Sequence, residues 1–225
     1  MPERPMPQAP AGQQPAEELL AALLTQRQTI LPKRLGAPGP DAHQLHAILQ
    51  AASHAPDHGQ LLPWRFVLVP LSARAALGQA FVQALLERDA QANAEEQARA
   101  REKALRAPVL LLATVDERAD DEEHAQVPVP ERILSAGCAV QGLLLAATAL
   151  GYGSALTSGK ALQSAALRTL FALPPHERAL CFVSIGNVLS RKPPRERPAA
   201  SQYTALLVPG QGTQPLDLTT GSIPP

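Results

Sequence analysis

A chain of 225 residues with 45% apolar side chains is long enough for one domain of ordinary to large size around a real core. Twenty basic residues balance twenty acidic ones, and aromatics make up only 3%, which argues against steering to nucleic acid or an anionic membrane and against base-stacking platforms. The two cysteines, Cys138 and Cys181, stand apart with no CxxC, and Met1 to Gln14 is rich in Pro and Gln without an apolar run, so the chain reads as a cytoplasmic protein without a secretory signal.

In chain order, residues 1–14 read as a disordered tail. Glu17 to Gln26 predicts a helix with Leu19, Leu20, Leu23 and Leu24 on one face, followed by Arg27-Gln28-Thr29 and a Pro/Gly-rich loop over 32–40. Asp41 with Gln44 three residues on is a capping-box pattern for a second helix, which must end near Ala55 because Pro56 disfavours helical geometry before it. Arg65 to Val69 predicts a short strand, Ser72 starts a helix using Leu77, Phe81 and Leu85, and 88–106 reads as one charged, Ala-rich helix. Val109 to Val115 is an apolar run that fits a strand buried on both faces, and 116–130 reads as an exposed loop.

Ile133 to Leu150 runs eighteen residues without a charge, near the lower length for a membrane span. Its Ser135, Gly137, Gln141, Gly142 and Thr148, and the lack of aromatic belts and basic flanks, favour a buried central helix over 131–150, stopped by Gly151. Ser164 to Leu170 predicts a short helix and Ala179 to Ile185 a buried strand ended by Gly186. The tail from Arg191 is Pro-rich with one strand-like piece, Gln202 to Val208. Helices separate the strands, so the expected fold class is α/β (α+β), a layered domain with a central sheet flanked by helices.

The sequence has no GxGxxG after a strand, no GxxxxGK[ST] and no GxSxG. His43 and His46 lack a carboxylate at a telling spacing, and Pro56 separates His54 from His58, so no metal site is expected. Three segments set polar residues beside apolar elements. Arg27-Gln28-Thr29 fits either a ligand contact or a cation at a helix end. Ala55-Pro56-Asp57-His58 with Pro63-Trp64 fits either a functional loop or a turn with a core tryptophan. Gly151-Tyr152-Gly153 with Thr157-Ser158-Gly159 fits either a close approach to a ligand or a helix stop and turn.

Taken in order, these segments resemble the nitroreductase superfamily, in particular its short branch of NAD(P)H nitroreductases. Arg27-Gln28-Thr29 matches that branch's Arg-Arg-Ser after the first helix. Ala55-Pro56-Asp57-His58, four residues, then Pro63-Trp64 matches its next mark, and Arg106-Ala107-Pro108 precedes a strand as it does there. Ser135 to Val140 reproduces Ser-Ala-Gly-Cys-Ala-Val, and Gly151-Tyr152-Gly153 with Ser158-Gly159 matches the last mark. The resemblance spans about residues 17–207.

The resemblance implies a three-layer sandwich, an interlocked homodimer with C-terminal strand exchange through Gln202 to Val208, and flavin mononucleotide (FMN) held between subunits. It places the FMN-binding domain at 15–208 and leaves 209–225 as a Pro/Gly-rich tail. By matching position, Arg27, Gln28, Thr29, His54, His58, Leu156, Thr157, Ser158 and Arg191 would contact FMN. Ala146, Ala147, Thr148, Ala149, Leu150 and Gly151 match a stretch assigned to the nicotinamide cofactor. Gln28 and Thr157 stand where the branch has arginines, so two positive charges are absent. No catalytic side chain is implied, because the flavin carries the redox chemistry. The implied activity is electron transfer from NADH or NADPH through FMN to a small electron-poor acceptor such as a nitroaromatic or quinone. Another flavin reaction of the superfamily, such as dehalogenation or desaturation, and a non-catalytic flavin-binding or regulatory dimer are the alternatives. No nucleic acid or membrane partner is implied.

Overall fold

The computed structural model describes residues 14–118 and 126–216. Of the expected tail over 1–14 all but Gln14, which starts a helix, lies outside the described residues, as do the middle of the 116–130 loop and the end of the C-terminal tail. Two compact units are present, 1–191 and 192–225.

The first unit begins with α1 (Gln14–Gln26), then a short 3-10 turn and the two-residue strand β1 (Leu35–Gly36). Helix α2 (Ala42–Gln50) starts on the expected capping box: the Gln44 N–H donates to Asp41 Oδ1 at 2.8 Å, and the Asp41 N–H donates to Gln44 Oε1 at 3.0 Å. It passes into a 3-10 turn and stops at Ala55, as Pro56 requires. Strand β2 (Trp64–Leu68) and helix α3 (Arg74–Leu86) follow. The expected single helix over 88–106 is corrected. Asn93 and Glu96 form a second capping box, so only α4 (Ala94–Glu102) is α-helical, and the residues before it turn.

Strand β3 (Val109–Asp116) is buried along nearly all its length. The long helix α5 (Val129–Ala149) is ended by Gly151 at φ +84°, the left-handed stop position that glycine fills without a Cβ penalty. Strand β4 (Gly153–Thr157), which the glycine-rich reading did not foresee, comes next, then α6 (Ala165–Leu170) on its Ser164 cap. Strand β5 (Glu177–Val188) runs through Gly186 instead of ending there. That glycine is needed for contact, because a Cβ on it would lie 2.7 Å from Pro108 Cδ.

The sheet order is β1-β5-β3-β2, with β4 also on β5, and every pairing is antiparallel. Alternation along the central strands sorts the core into two faces. Val109, Leu111 and Ala113 join Cys181, Val183 and Ile185 beneath Ile48 of α2 and Val140, Leu143 and Ala147 of α5. Leu110 and Leu112 join Phe182 beneath Leu77 of α3 and Leu167 of α6. These are helix, sheet and helix layers, and each fully buried leucine contributes about 1.5–3 kcal/mol. Both cysteines are free thiols; Cys138 is exposed, and burial pushes the Cys181 thiol up to about 11.

Helix α5 is long and apolar enough by length and composition to cross a membrane, but here it packs on the sheet and on α2. The α2 segment runs alongside it in the opposite direction. Tyr152 Oη donates to Gln44 Oε1 at 2.6 Å at one end. A Cβ on Gly142 would meet Ala51 O at 2.9 Å in the middle. Ser135 Oγ donates to Pro56 O near the other end.

In the second unit, β6 (Ala205–Val208) pairs with β7 (Gly212–Pro215) as a hairpin that crosses the expected 208/209 boundary.

Two polar groups hold the interior. Arg74 is only 3% exposed and donates to the carbonyls of Val69, Ala104, Ala107 and Pro108; burial lowers its guanidinium pKa from the ordinary value. Replacing it with leucine strands these acceptors, so Arg74→Leu is expected to lose about 3 kcal/mol of stability in urea unfolding. Glu177, buried at the sheet's end, accepts from Arg65 Nε at 2.9 Å and Nη2 at 2.6 Å, and from Thr114 Oγ1. Burial raises its carboxyl pKa, but the hydrogen bonds from Arg65 and Thr114 and the Arg65 charge outweigh this and leave it below the ordinary 4.5. A depressed folded value means that this stability is fully present above pH 4.5 and is lost as pH falls through the folded value. Glu177→Gln is therefore expected to flatten the acid limb of a urea-midpoint series against pH while leaving the neutral limb parallel to wild type.

Candidate functional site

The Arg27-Gln28-Thr29 segment leaves α1 and runs beside β4. Thr29 forms an isolated parallel bridge with Ser154, and the Ile30 N–H donates to Ser154 O at 2.9 Å. The structure therefore brings the first and third sequence segments together. Because Ser154 turns its backbone away from β5, ladder alternation turns Leu156 the same way. Leu156 directs its backbone N–H and C=O outward, past the point where the bridge with Thr29 ends. Leu156 and Ser158 are exposed there, and Thr157 is half-buried with its hydroxyl on Phe182 O at 3.5 Å. The Ser154 hydroxyl is buried at this seam without a partner among the described residues. A strand edge with outward donors and acceptors beside a cation-bearing segment suits a planar heteroaromatic ring carrying a phosphate.

The second segment lies elsewhere. Asp57 Oδ2 accepts from the Leu62 N–H at 2.8 Å, so this aspartate closes the loop. Three residues there have positive φ: Gly59 at 69°, Gln60 at 55° and Leu62 at 48°. Trp64 is 8% exposed and packs with Val115 and Ala136, so it belongs to the core. His54 and His58 are exposed, and His58 Nδ1 lies 2.8 Å from Oε1 of Glu131 in the first turn of α5. A cleft of about 310 Å³ lies between this loop and the start of α5, with His58, Leu61, Glu131, Leu134 and Cys138 in its wall.

The two groups of residues stand at opposite ends of α5. Thr29 meets the strand just after the helix, whereas His58 meets its first turn. Eighteen residues separate Glu131 from Ala149, a span of about 27 Å. The Ala146–Gly151 stretch is the last turn of α5 and its stop. Ala147 is wholly buried in the core, and the Thr148 hydroxyl bonds back to Leu144 O at 2.9 Å. The exposed members, Ala149, Leu150 and Gly151, are what this stretch offers a ligand. Arg191 is exposed at the end of the first unit. No group of three or more metal-ligating side chains occurs among the described residues.

Sequence reading missed Glu131, although an acidic residue next to Pro130 at a helix start was visible. It also missed that the α1 face is open. Leu19, Leu20 and Leu24 of the expected apolar face are 62%, 53% and 48% exposed, while Leu23 is half-buried. On α5, Leu134, Gly137, Cys138 and Gln141 form a second exposed, uncharged stripe.

The nitroreductase family model matches residues 24–187. The chain belongs to the nitroreductase family. A Haemophilus influenzae protein named "Putative NAD(P)H nitroreductase" is 37% identical over 171 residues, covering 75% of this chain and 88% of that one. The crystal structure of a nitroreductase-like family protein from Bacillus cereus shares the fold at a TM-score of 0.69 and 17% identity, covering 85% of this chain and 96% of that one. Iodotyrosine deiodinase, solved with FMN and 3-iodo-L-tyrosine, shares it at a TM-score of 0.61 and 22% identity, covering 80% of this chain and 96% of that one. The protein is thus a nitroreductase-like oxidoreductase.

Because Asp57 holds the loop through one accepting oxygen, Asp57→Ala is expected to lose about 1–2 kcal/mol in urea unfolding. Asp57→Asn, which keeps an acceptor, should lose less.

Proposed function

We propose that this protein is an FMN-dependent oxidoreductase that passes electrons from NADH or NADPH to a small electron-poor acceptor, such as a nitroaromatic or quinone, in the cytoplasm. It acts as a homodimer in which each flavin site takes Arg27-Gln28-Thr29, Leu156-Thr157-Ser158 and Arg191 from one copy and the His54–His58 loop from the other. The observation that carries this reading is the split of cofactor-directed residues to opposite ends of α5, together with the uncharged faces that one chain leaves open on α1 and α5. A second copy laid against α5 in the opposite sense unites the two groups. Among the described residues β2 pairs only with β3, and its other edge suits a strand such as β6 from the partner.

Bound FMN would supply the hydride chemistry. The chain's residues supply position and charge. Arg27 presents a cation for the phosphate or the pyrimidine edge. The outward backbone groups of Leu156 would hold the ring edge, with Thr157 and Ser158 beside it. His58 of the partner subunit reaches the same ligand from the far side. Ala149, Leu150 and Gly151 lie where the nicotinamide cofactor would approach. Gln28 and Thr157, with no charge of their own, leave a larger share of phosphate binding to Arg27.

The protein as purified is expected to be yellow and to bleach with one of the two nicotinamides; a colourless protein that takes up no added FMN overturns the reading. Arg27→Ala should weaken FMN binding roughly ten- to a hundredfold, since hydrogen bonds to charged partners contribute about 1.5–3 kcal/mol each. Riboflavin should lose less if the phosphate is the partner of Arg27. Arg27→Ala and His58→Ala chains co-expressed as a heterodimer should regain one intact site. Recovery absent from the purified heterodimer would show that each site is built within one chain.

A further inference from the structure

We propose that Glu131 is the positioning residue for His58, fixing which ring nitrogen is offered to the flavin. The inference rests on the composite site of the preceding section. The His58 backbone is pinned on both sides. Ser135 Oγ holds Pro56 O two residues before it, and Asp57 Oδ2 holds the Leu62 N–H four residues after it. Residues 59, 60 and 62 adopt left-handed backbone conformations, which persist where surrounding contacts determine them. The side chain is then fixed by a bond of 2.8 Å from Nδ1 to Glu131 Oε1. An ionised carboxylate only accepts, so Nδ1 carries the proton of this bond. The neutral ring therefore presents Nε2 as an unprotonated acceptor, directed away from Glu131.

An exposed contact of this kind contributes little to stability, and this one has side chains 62% and 46% exposed. Its effect lies in orientation. Unheld imidazole rotates about χ1 and χ2 and exchanges its two neutral tautomers. Held imidazole presents one nitrogen of known character to the flavin's N–H or hydroxyl donors. The other polar groups in the same cleft wall offer His58 no alternative fixed partner: Asp57 is engaged with Leu62, Ser135 with Pro56, and Arg132 with the carbonyls of Val127, Asp116 and Arg118. Cys138, also in the wall, is a weak donor.

The test uses the full chain with 15N-labelled histidine and the variants Glu131→Ala and Glu131→Gln. The side-chain 15N shifts of His58, assigned with His58→Ala, are expected to show protonated Nδ1 and unprotonated Nε2 in the neutral ring of wild type. Glu131→Gln keeps an accepting oxygen and should keep this tautomer and most of the FMN affinity. Glu131→Ala should move the ring toward the Nε2–H tautomer and weaken FMN binding about three- to tenfold in a fluorescence titration of apo-protein, the size of one lost hydrogen bond. Unchanged melting temperature in both variants would separate this loss from a folding defect. A Glu131→Ala protein with wild-type tautomer, or with a changed tautomer and wild-type affinity, overturns the role of Glu131 alone. Failure of wild type to bind FMN overturns the composite site and this role together.

Discussion

A helix that carries no charge over eighteen residues has no side that water stabilises, and the rest of this structure is arranged around that constraint. One side of α5 is covered by the sheet, where Val140, Leu143 and Ala147 meet Leu111, Val183 and Ile185. Another is covered by α2 and the 3-10 turn after it, and the contact is close enough that position 142 needs a glycine. This packing sets the register of everything that leads to the site. It places the Pro56–Pro63 loop at the start of α5 and the Tyr152–Gln44 bond at its end, and it delivers β4 to β5.

The same helix therefore acts as a ruler between two sets of polar residues. At one end a cation-bearing segment and an outward strand edge lie together; at the other a strained loop carries His58. Neither set resembles an acid/base constellation. Backbone groups and an arginine are suited to holding a planar, anionic cofactor, and the redox chemistry of such a site belongs to the cofactor. The stripe Leu134, Gly137, Cys138 and Gln141 and the open leucines of α1 leave uncharged surface in water, which is the basis of the proposed pairing with a second copy.

Much of this was legible from the residues. Asp41 with Gln44 marked the start of α2, Pro56 its end and Gly151 the stop of α5, because these signals act through local hydrogen bonds and sterics. Asn93 with Glu96 was equally readable and splits what composition alone made a single helix. Strand β4 was obscured by its flanking glycines, which looked like a turn; it is a strand because β5 offers it a partner. Gly186 was read as a strand end and is instead a point of close approach to Pro108. Arg74 gave no sign of burial, since its four partners are carbonyls from residues 69 to 108, distant in sequence.

Short-range chemistry explains the division. The caps and stops, the two-faced burial of Val109 to Val115, the uncharged stretch over 133–150 and the ordered motifs that resemble the nitroreductase family were legible from the residues alone. Each of these is encoded within a few residues or by their order along the chain. Folding settles that Thr29 lies on Ser154, that Asp57 is a turn closer and Trp64 core, that His58 pairs with Glu131, and that α1 shows its leucines to solvent. Those outcomes depend on which distant elements share a seam, and that is set by how α5 and the sheet bury their apolar faces against each other.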